Sequence, residues 1–148
     1  MLTKELNALF QRDLKRLKKE LLAFSEGPSL WQTQGSAQNS PGNLALHLVG
    51  NLNHFIGAVL GDSGYVRDRK AEFATRDVPV SSMVEQVEAT AAVVGQVLEG
   101  MDPADLGDNY PLEVFGEPMT IRFFLVHLEG HLNYHLGQIN YQRRLLES

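Results

Sequence analysis

The sequence predicts an all-α protein, a four-helix bundle with long crossover loops, and three observations carry that expectation. Four segments repeat apolar residues at spacings of three and four, the stripe of an amphipathic helix. Stretches rich in Gly, Pro, Asp and Asn separate them. The 148 residues fit one domain, 1–148, and 43% hydrophobic content suffices for a core held by packing alone.

In the first segment Leu6, Phe10, Leu14, Leu17, Leu21 and Phe24 form the stripe, and Gly27-Pro28 ends it. The second opens at Ser40-Pro41, an N-cap residue followed by a proline at the first helical position. It should run to about Leu60, with Gly61 as its stop, and Leu44, Leu48, Asn51, Phe55 and Val59 on its inner side. The third opens at Ser81-Ser82, where Ser82 and Glu85 have capping-box spacing. Val84, Val87, Ala91, Val94 and Leu98 follow, and Gly100 closes it. The last runs from near Thr120 to at least Leu145, with Phe124, Leu128, His131, His135, Gln138 and Ile139 on one face. Two connections, Asp62–Val80 and Met101–Met119, are long for a bundle, and loops of that length are often functional. A short extended hairpin fits Tyr110 to Gly116.

Composition narrows the function. Without cysteine there are no disulfides, thiolate metal sites or cysteine nucleophiles, which suits a reducing cytoplasm. The N-terminus lacks the apolar core of a secretory signal, and no stretch approaches a membrane span. A net charge of −5 opposes nucleic-acid binding. The one basic run, Lys15-Arg16-Leu17-Lys18-Lys19, reads as a solvated helix face beside Asp13 and Glu20.

Five histidines fall into two groups, His47 and His54, and His127, His131 and His135. A lone histidine on an apolar helix face is usually a hydrogen-bonded core residue, but two groups on facing helices suggest metal ligation. Residues four apart on a helix sit about 5–6 Å apart at Cβ and point the same way, so two imidazoles can share an ion. The ladder 127, 131, 135 climbs about 12 Å and turns about 40° per step, so one ion cannot reach all three. Spacing permits 127/131 or 131/135 and makes His131 common to both. His47 and His54, two turns apart, cannot chelate together, and either can supply a third ligand. Asn51, one turn beyond His47, can orient that imidazole or a ligand.

The segment His131-Leu132-Asn133-Tyr134-His135-Leu136-Gly137-Gln138-Ile139 resembles the signature of the DinB-like superfamily. Its members typically carry HxxxH followed by Arg-Gly-Gln on the last helix of a four-helix bundle, with a histidine early in the second helix. His47, in Asn43-Leu44-Ala45-Leu46-His47-Leu48, resembles that histidine. The stretch Tyr65 to Phe73 resembles the loop after helix two in one uncharacterised branch. The resemblance implies His47, His131 and His135 as ligands of nickel or zinc. It leaves His54, His127, Asn51 and Gln138 as supporting, pocket or core residues. Leu136 stands where the family usually has Arg, so any role of that Arg does not carry over.

Three neutral ligands leave a divalent ion with net positive charge and an open position, the arrangement of catalytic sites. A thiol that coordinates such an ion is deprotonated, so a thiol cofactor becomes a nucleophile without any protein cysteine. Family members with known activities include transferases that use mycothiol, bacillithiol or glutathione, and a maleylpyruvate isomerase. The resemblance therefore implies a metal-dependent transferase for a low-molecular-weight thiol, acting on a small molecule. A metal-dependent hydrolase and a non-enzymatic metal- or small-molecule-binding stress-response protein are the alternatives. Related bundles often pair, so a homodimer is expected.

Overall fold

Leu6, Phe10, Leu14, Leu17 and Leu21 are all buried along α1 (Leu2–Ala23), as their spacing predicts. The computed structural model describes residues 1–25 and 28–148. The stop expected at Gly27 lies outside the described residues, and Pro28–Trp31 form a 3-10 turn.

Ser40 caps α2 (Pro41–Leu52) by accepting from the Asn43 N–H at 3.2 Å, with Pro41 at the first helical position. The helical path continues toward Gly61, as expected, but its second half is wound differently. Asn53–Ala58 form a π-helical segment, in which Val59 N–H donates to His54 O and Gly61 N–H to Ile56 O, each at 3.0 Å. These i→i+5 bonds widen the turn.

The loop Asp62–Val80 contains an unexpected short helix, α3 (Arg69–Ala74). Asp68 caps it by accepting from the Ala71 N–H at 3.1 Å. The long helix α4 (Val80–Gly100) starts ahead of the expected capping box. Its N-cap is Pro79, which offers no side-chain acceptor, so Ser82 and Glu85 lie inside the helix. Met83, Val84, Val87, Thr90, Val94 and Leu98 are its buried side.

Pro103–Gly107 form a second 3-10 turn. The hairpin expected over Tyr110 to Gly116 does not form. Among the described residues the only β-pairing is one antiparallel bridge, Asn109 to Thr120. The buried Tyr110 instead anchors the loop, its hydroxyl donating to Phe55 O at 2.6 Å. Finally α5 (Ile121–Leu146) runs unbroken from its Thr120 cap, as expected.

α1 packs on α4 and α5, and α2 packs on α4 and α5, so the four long elements enclose one core. A polar seam ties α1 to α5. Asp13, fully buried, pairs with Arg12 at 2.9 Å and Arg16 at 3.2 Å, and the Asn133 amide donates to both Asp13 and Glu129. Burial, with the Asp13 carboxylate beside it, pushes the Glu129 carboxyl up to about 8. No helix among the described residues is long and apolar enough to cross a membrane.

Candidate metal centre

His47 lies on the inward face of α2, and His131 and His135 occupy successive turns of α5 opposite it. A ring nitrogen from each lies within 4.8 Å of the other two, so the three can hold one metal ion. Their rings meet edge-on, with centroids 5.0 Å apart for His47–His131, 5.4 Å for His47–His135 and 4.6 Å for His131–His135. His47 is buried, and the other two are half-buried.

Hydrogen bonds set which nitrogen of each ring is free. His47 Nδ1 lies 3.0 Å from Glu72 Oε1. The carboxylate only accepts, so Nδ1 carries the proton and Nε2 keeps its lone pair. His135 Nδ1 likewise donates to Gln138 Oε1 at 2.7 Å, freeing its Nε2. The Nε2 atoms of His47 and His131 are 3.2 Å apart. Two nitrogens bound tetrahedrally at about 2.0–2.1 Å to one zinc would stand about 3.3 Å apart. The donor set and its spacing therefore fit a divalent ion. His131 Nδ1 is buried with no partner among the described residues.

The loop after α2 completes the site. Arg67 grips Glu72 with two bonds, Nε to Oε2 at 2.9 Å and Nη2 to Oε1 at 3.0 Å. Burial alone would raise the Glu72 carboxyl, but the bonds from His47 and Arg67 outweigh it and hold it below the usual range. Glu72 is thus an ionised carboxylate that orients His47. Phe73, its neighbour on α3, lies against the His47 ring at 4.9 Å.

Burial, followed by the neighbouring imidazoles, pushes His131 down to about 3. Burial also lowers His135, although its bond to Gln138 opposes the shift. Both rings therefore favour the neutral form that binds metal.

The other sequence candidates separate clearly. His127 is exposed one turn before His131, with Phe115 at 4.9 Å and Phe124 stacked at 5.8 Å. Helical rotation carries it out of the cluster. His54 is the second residue of the π segment, edge-on to Phe55 at 4.7 Å, and burial and then Arg67 lower it. Asn51 is buried, and its Oδ1 has no partner among the described residues. Gln138 is a supporting residue through His135. Glu72 and Arg67 were missed, because their roles depend on a contact 25 residues away along the chain. The only local signal is the Asp68 cap, which marks a short helix in that charged loop.

Beside His135 a groove of about 940 Å³ opens between α5 and residues 34–39.

A family model for the DinB superfamily matches residues 3–139. The chain is similar in structure to a crystal structure described as the conserved protein of locus from Enterococcus faecalis. The TM-score is 0.75 at 17% identity, covering 99% of this chain and 97% of that one. At that identity the likeness concerns the fold. No curated protein matches the sequence.

Proposed function

The chain belongs to the DinB superfamily, and we propose that it is a metal-dependent transferase acting through a low-molecular-weight thiol. His47, His131 and His135 would hold the ion, nickel or zinc. The observation that carries this reading is the convergence of the three imidazoles, with the Nδ1 atoms of His47 and His135 engaged by Glu72 and Gln138.

A divalent ion so held would supply Lewis acidity, the chemistry that favours the thiolate form of a coordinated thiol near neutral pH. The chain's own residues do the positioning. Glu72, fixed by Arg67, orients His47, and Gln138 orients His135. Leu48, next to His47, and Leu132, next to His131, are fully buried, so the core closes behind both rings. The thiol and its acceptor would reach the centre past His131 and His135, which are only half-buried.

The test has two stages. Tag-free protein is analysed for bound metal, and then mycothiol, bacillithiol and glutathione are screened with electrophilic acceptors on zinc-, nickel-, manganese- and iron-loaded protein. Metal at one equivalent with turnover of one thiol supports the proposal. Metal without any turnover favours a binding protein, and no metal removes the basis of the reading.

A further inference from the structure

Two of the three imidazoles have an Nδ1 partner, Glu72 for His47 and Gln138 for His135, and His131 has none among the described residues. We propose that Asn51 is the positioning residue for His131, its carboxamide oxygen accepting from Nδ1–H when Nε2 is given to the ion. The proposal rests on the reading of His47, His131 and His135 as metal ligands, and not on the reaction that the ion serves.

Burial selects the pair. Four buried side-chain atoms have no partner among the described residues, and His131 Nδ1 and Asn51 Oδ1 are two of them. The other two face elsewhere. Glu129 lies in the seam with α1, bonded by Asn133, and Gln142 lies about three turns further along α5, tied to Asn39.

Helix register brings the pair together. His47 meets His131 with ring centroids 5.0 Å apart, and Phe55 meets Phe124 at 5.1 Å, so α2 and its continuation run antiparallel to α5. Asn51 lies halfway between His47 and Phe55 and therefore faces α5 near residues 127–128. Residues four apart drift only about 40° around a helix, which keeps Asn51 on the side of both. Side chains lean toward the N-terminus of their own helix, so the His131 ring leans toward that same level. Asn51 is only 6% exposed, so its amide points into the bundle.

The protons explain why the two atoms stand unbonded as arranged. Glu72 holds the His47 proton on Nδ1, so the 3.2 Å contact between the two Nε2 atoms takes its hydrogen from His131. His131 Nδ1 is then a bare acceptor, and it shares no hydrogen with the acceptor Oδ1 of Asn51. When Nε2 is given to an ion, the neutral ring carries its proton on Nδ1 instead. One proton leaves Nε2 and one arrives at Nδ1, with no net change. Nδ1–H becomes a buried donor, and Asn51 Oδ1 is the acceptor on the facing helix. A buried donor left unpaired costs free energy, so this bond adds to metal affinity.

The test compares full-length wild type, Asn51→Leu and Asn51→Asp by zinc titration, by nitrogen-15 spectra of the histidine rings and by melting in EDTA. Leucine keeps the volume and removes the acceptor, whereas aspartate keeps an acceptor. Zinc affinity should fall 10–100-fold in Asn51→Leu, the range for a lost supporting partner, and stay within threefold in Asn51→Asp. Zinc-loaded wild type should show His131 protonated on Nδ1 with slow solvent exchange, and Asn51→Leu should lose the slow exchange. In EDTA the Asn51→Leu melting temperature should equal or exceed that of wild type, because an unpaired buried acceptor is gone. An asparagine that only holds the fold predicts the opposite sign. Zinc affinity of Asn51→Leu within threefold of wild type overturns the proposal. So does slow exchange that survives the substitution, a lowered melting temperature in EDTA, or Asn51→Asp as weak as Asn51→Leu. Wild type that binds no zinc removes the metal centre and this role with it, whereas wild-type binding that Asn51→Leu leaves intact sinks only the role of Asn51.

Discussion

The Glu72 carboxyl group lies directly over the backbone of Gly50, one turn beyond His47. A Cβ on Gly50 would fall 2.5 Å from the Glu72 carboxyl carbon, closer than real atoms approach. Glycine at this position lets Glu72 reach the His47 Nδ1. Gly50→Ala should therefore displace Glu72 and leave His47 free to rotate. The expected outcome is a 10–100-fold loss of zinc affinity, the range seen when a ligand's supporting partner is removed. Isothermal titration checks it, with helicity by circular dichroism as the control. Unchanged zinc affinity would show that Glu72 does not position the ligand.

The ligands themselves should separate sharply from their neighbours. His47→Ala, His131→Ala and His135→Ala each remove one of three converging imidazoles and should abolish most zinc or nickel binding. His127→Ala should change affinity less than threefold, because that ring is exposed and 6.3 Å from His131, centroid to centroid. Titrating the four metal-free variants decides between the two histidine pairs that spacing alone permits.

A different outcome is expected at the α1–α5 seam. Glu129 is held protonated by burial and by Asp13, with its folded-state pKa near 8, well above the ordinary carboxyl value. A raised carboxyl stabilises the fold below its unfolded value of about 4.3 and loses that contribution as pH rises toward 8. Metal-free protein should therefore weaken across this window, by at most about 1.4 kcal/mol per pH unit. Glu129→Gln removes the titration and should flatten the slope, raising the melting temperature at pH 8. Thermal melts in EDTA from pH 5 to 8 measure it, and an unchanged slope in the variant would count against the assignment.

Much of this arrangement was legible because it is local. The apolar stripe of α1, the Ser40-Pro41 start of α2 and the Thr120 start of α5 all follow from residues within a turn of one another. Helical spacing also placed His131 at the centre of any chelating pair on α5. What stayed hidden depends on distant partners. The six residues of α3 are too few to show a period, and they sit where they do because Glu72 meets His47. The start of α4 was misplaced because Pro79 can precede a helix without a side-chain cap, which left the Ser82–Glu85 spacing without a role.

Tyr110→Phe probes the tie between the Met101–Met119 loop and the π segment. It removes the hydroxyl that donates to Phe55 O and leaves the ring against Phe124 at 4.5 Å. The loss of one such bond should cost about 1–2 kcal/mol, since it also leaves a carbonyl of the π segment without its donor. Chemical denaturation should show the loss with an unchanged slope, while zinc affinity, set on the preceding turns of α2, stays within twofold.

The wide turns of Asn53–Ala58 also act as a counting device. A π turn holds about one residue more than an α turn, so the segment behaves as a single-residue insertion that the backbone absorbs without breaking the helix. Winding the same residues as an ordinary α-helix would rotate everything downstream by about 100° about the α2 axis. His47, upstream, would not move. The loop that leaves at Asp62 would start from another side of the helix, and Arg67 and Glu72 would be delivered away from the imidazole. Deleting one residue there would instead restore ordinary winding with the loop leaving from the same side, so the π turn keeps Glu72 in line with the imidazole despite the added residue.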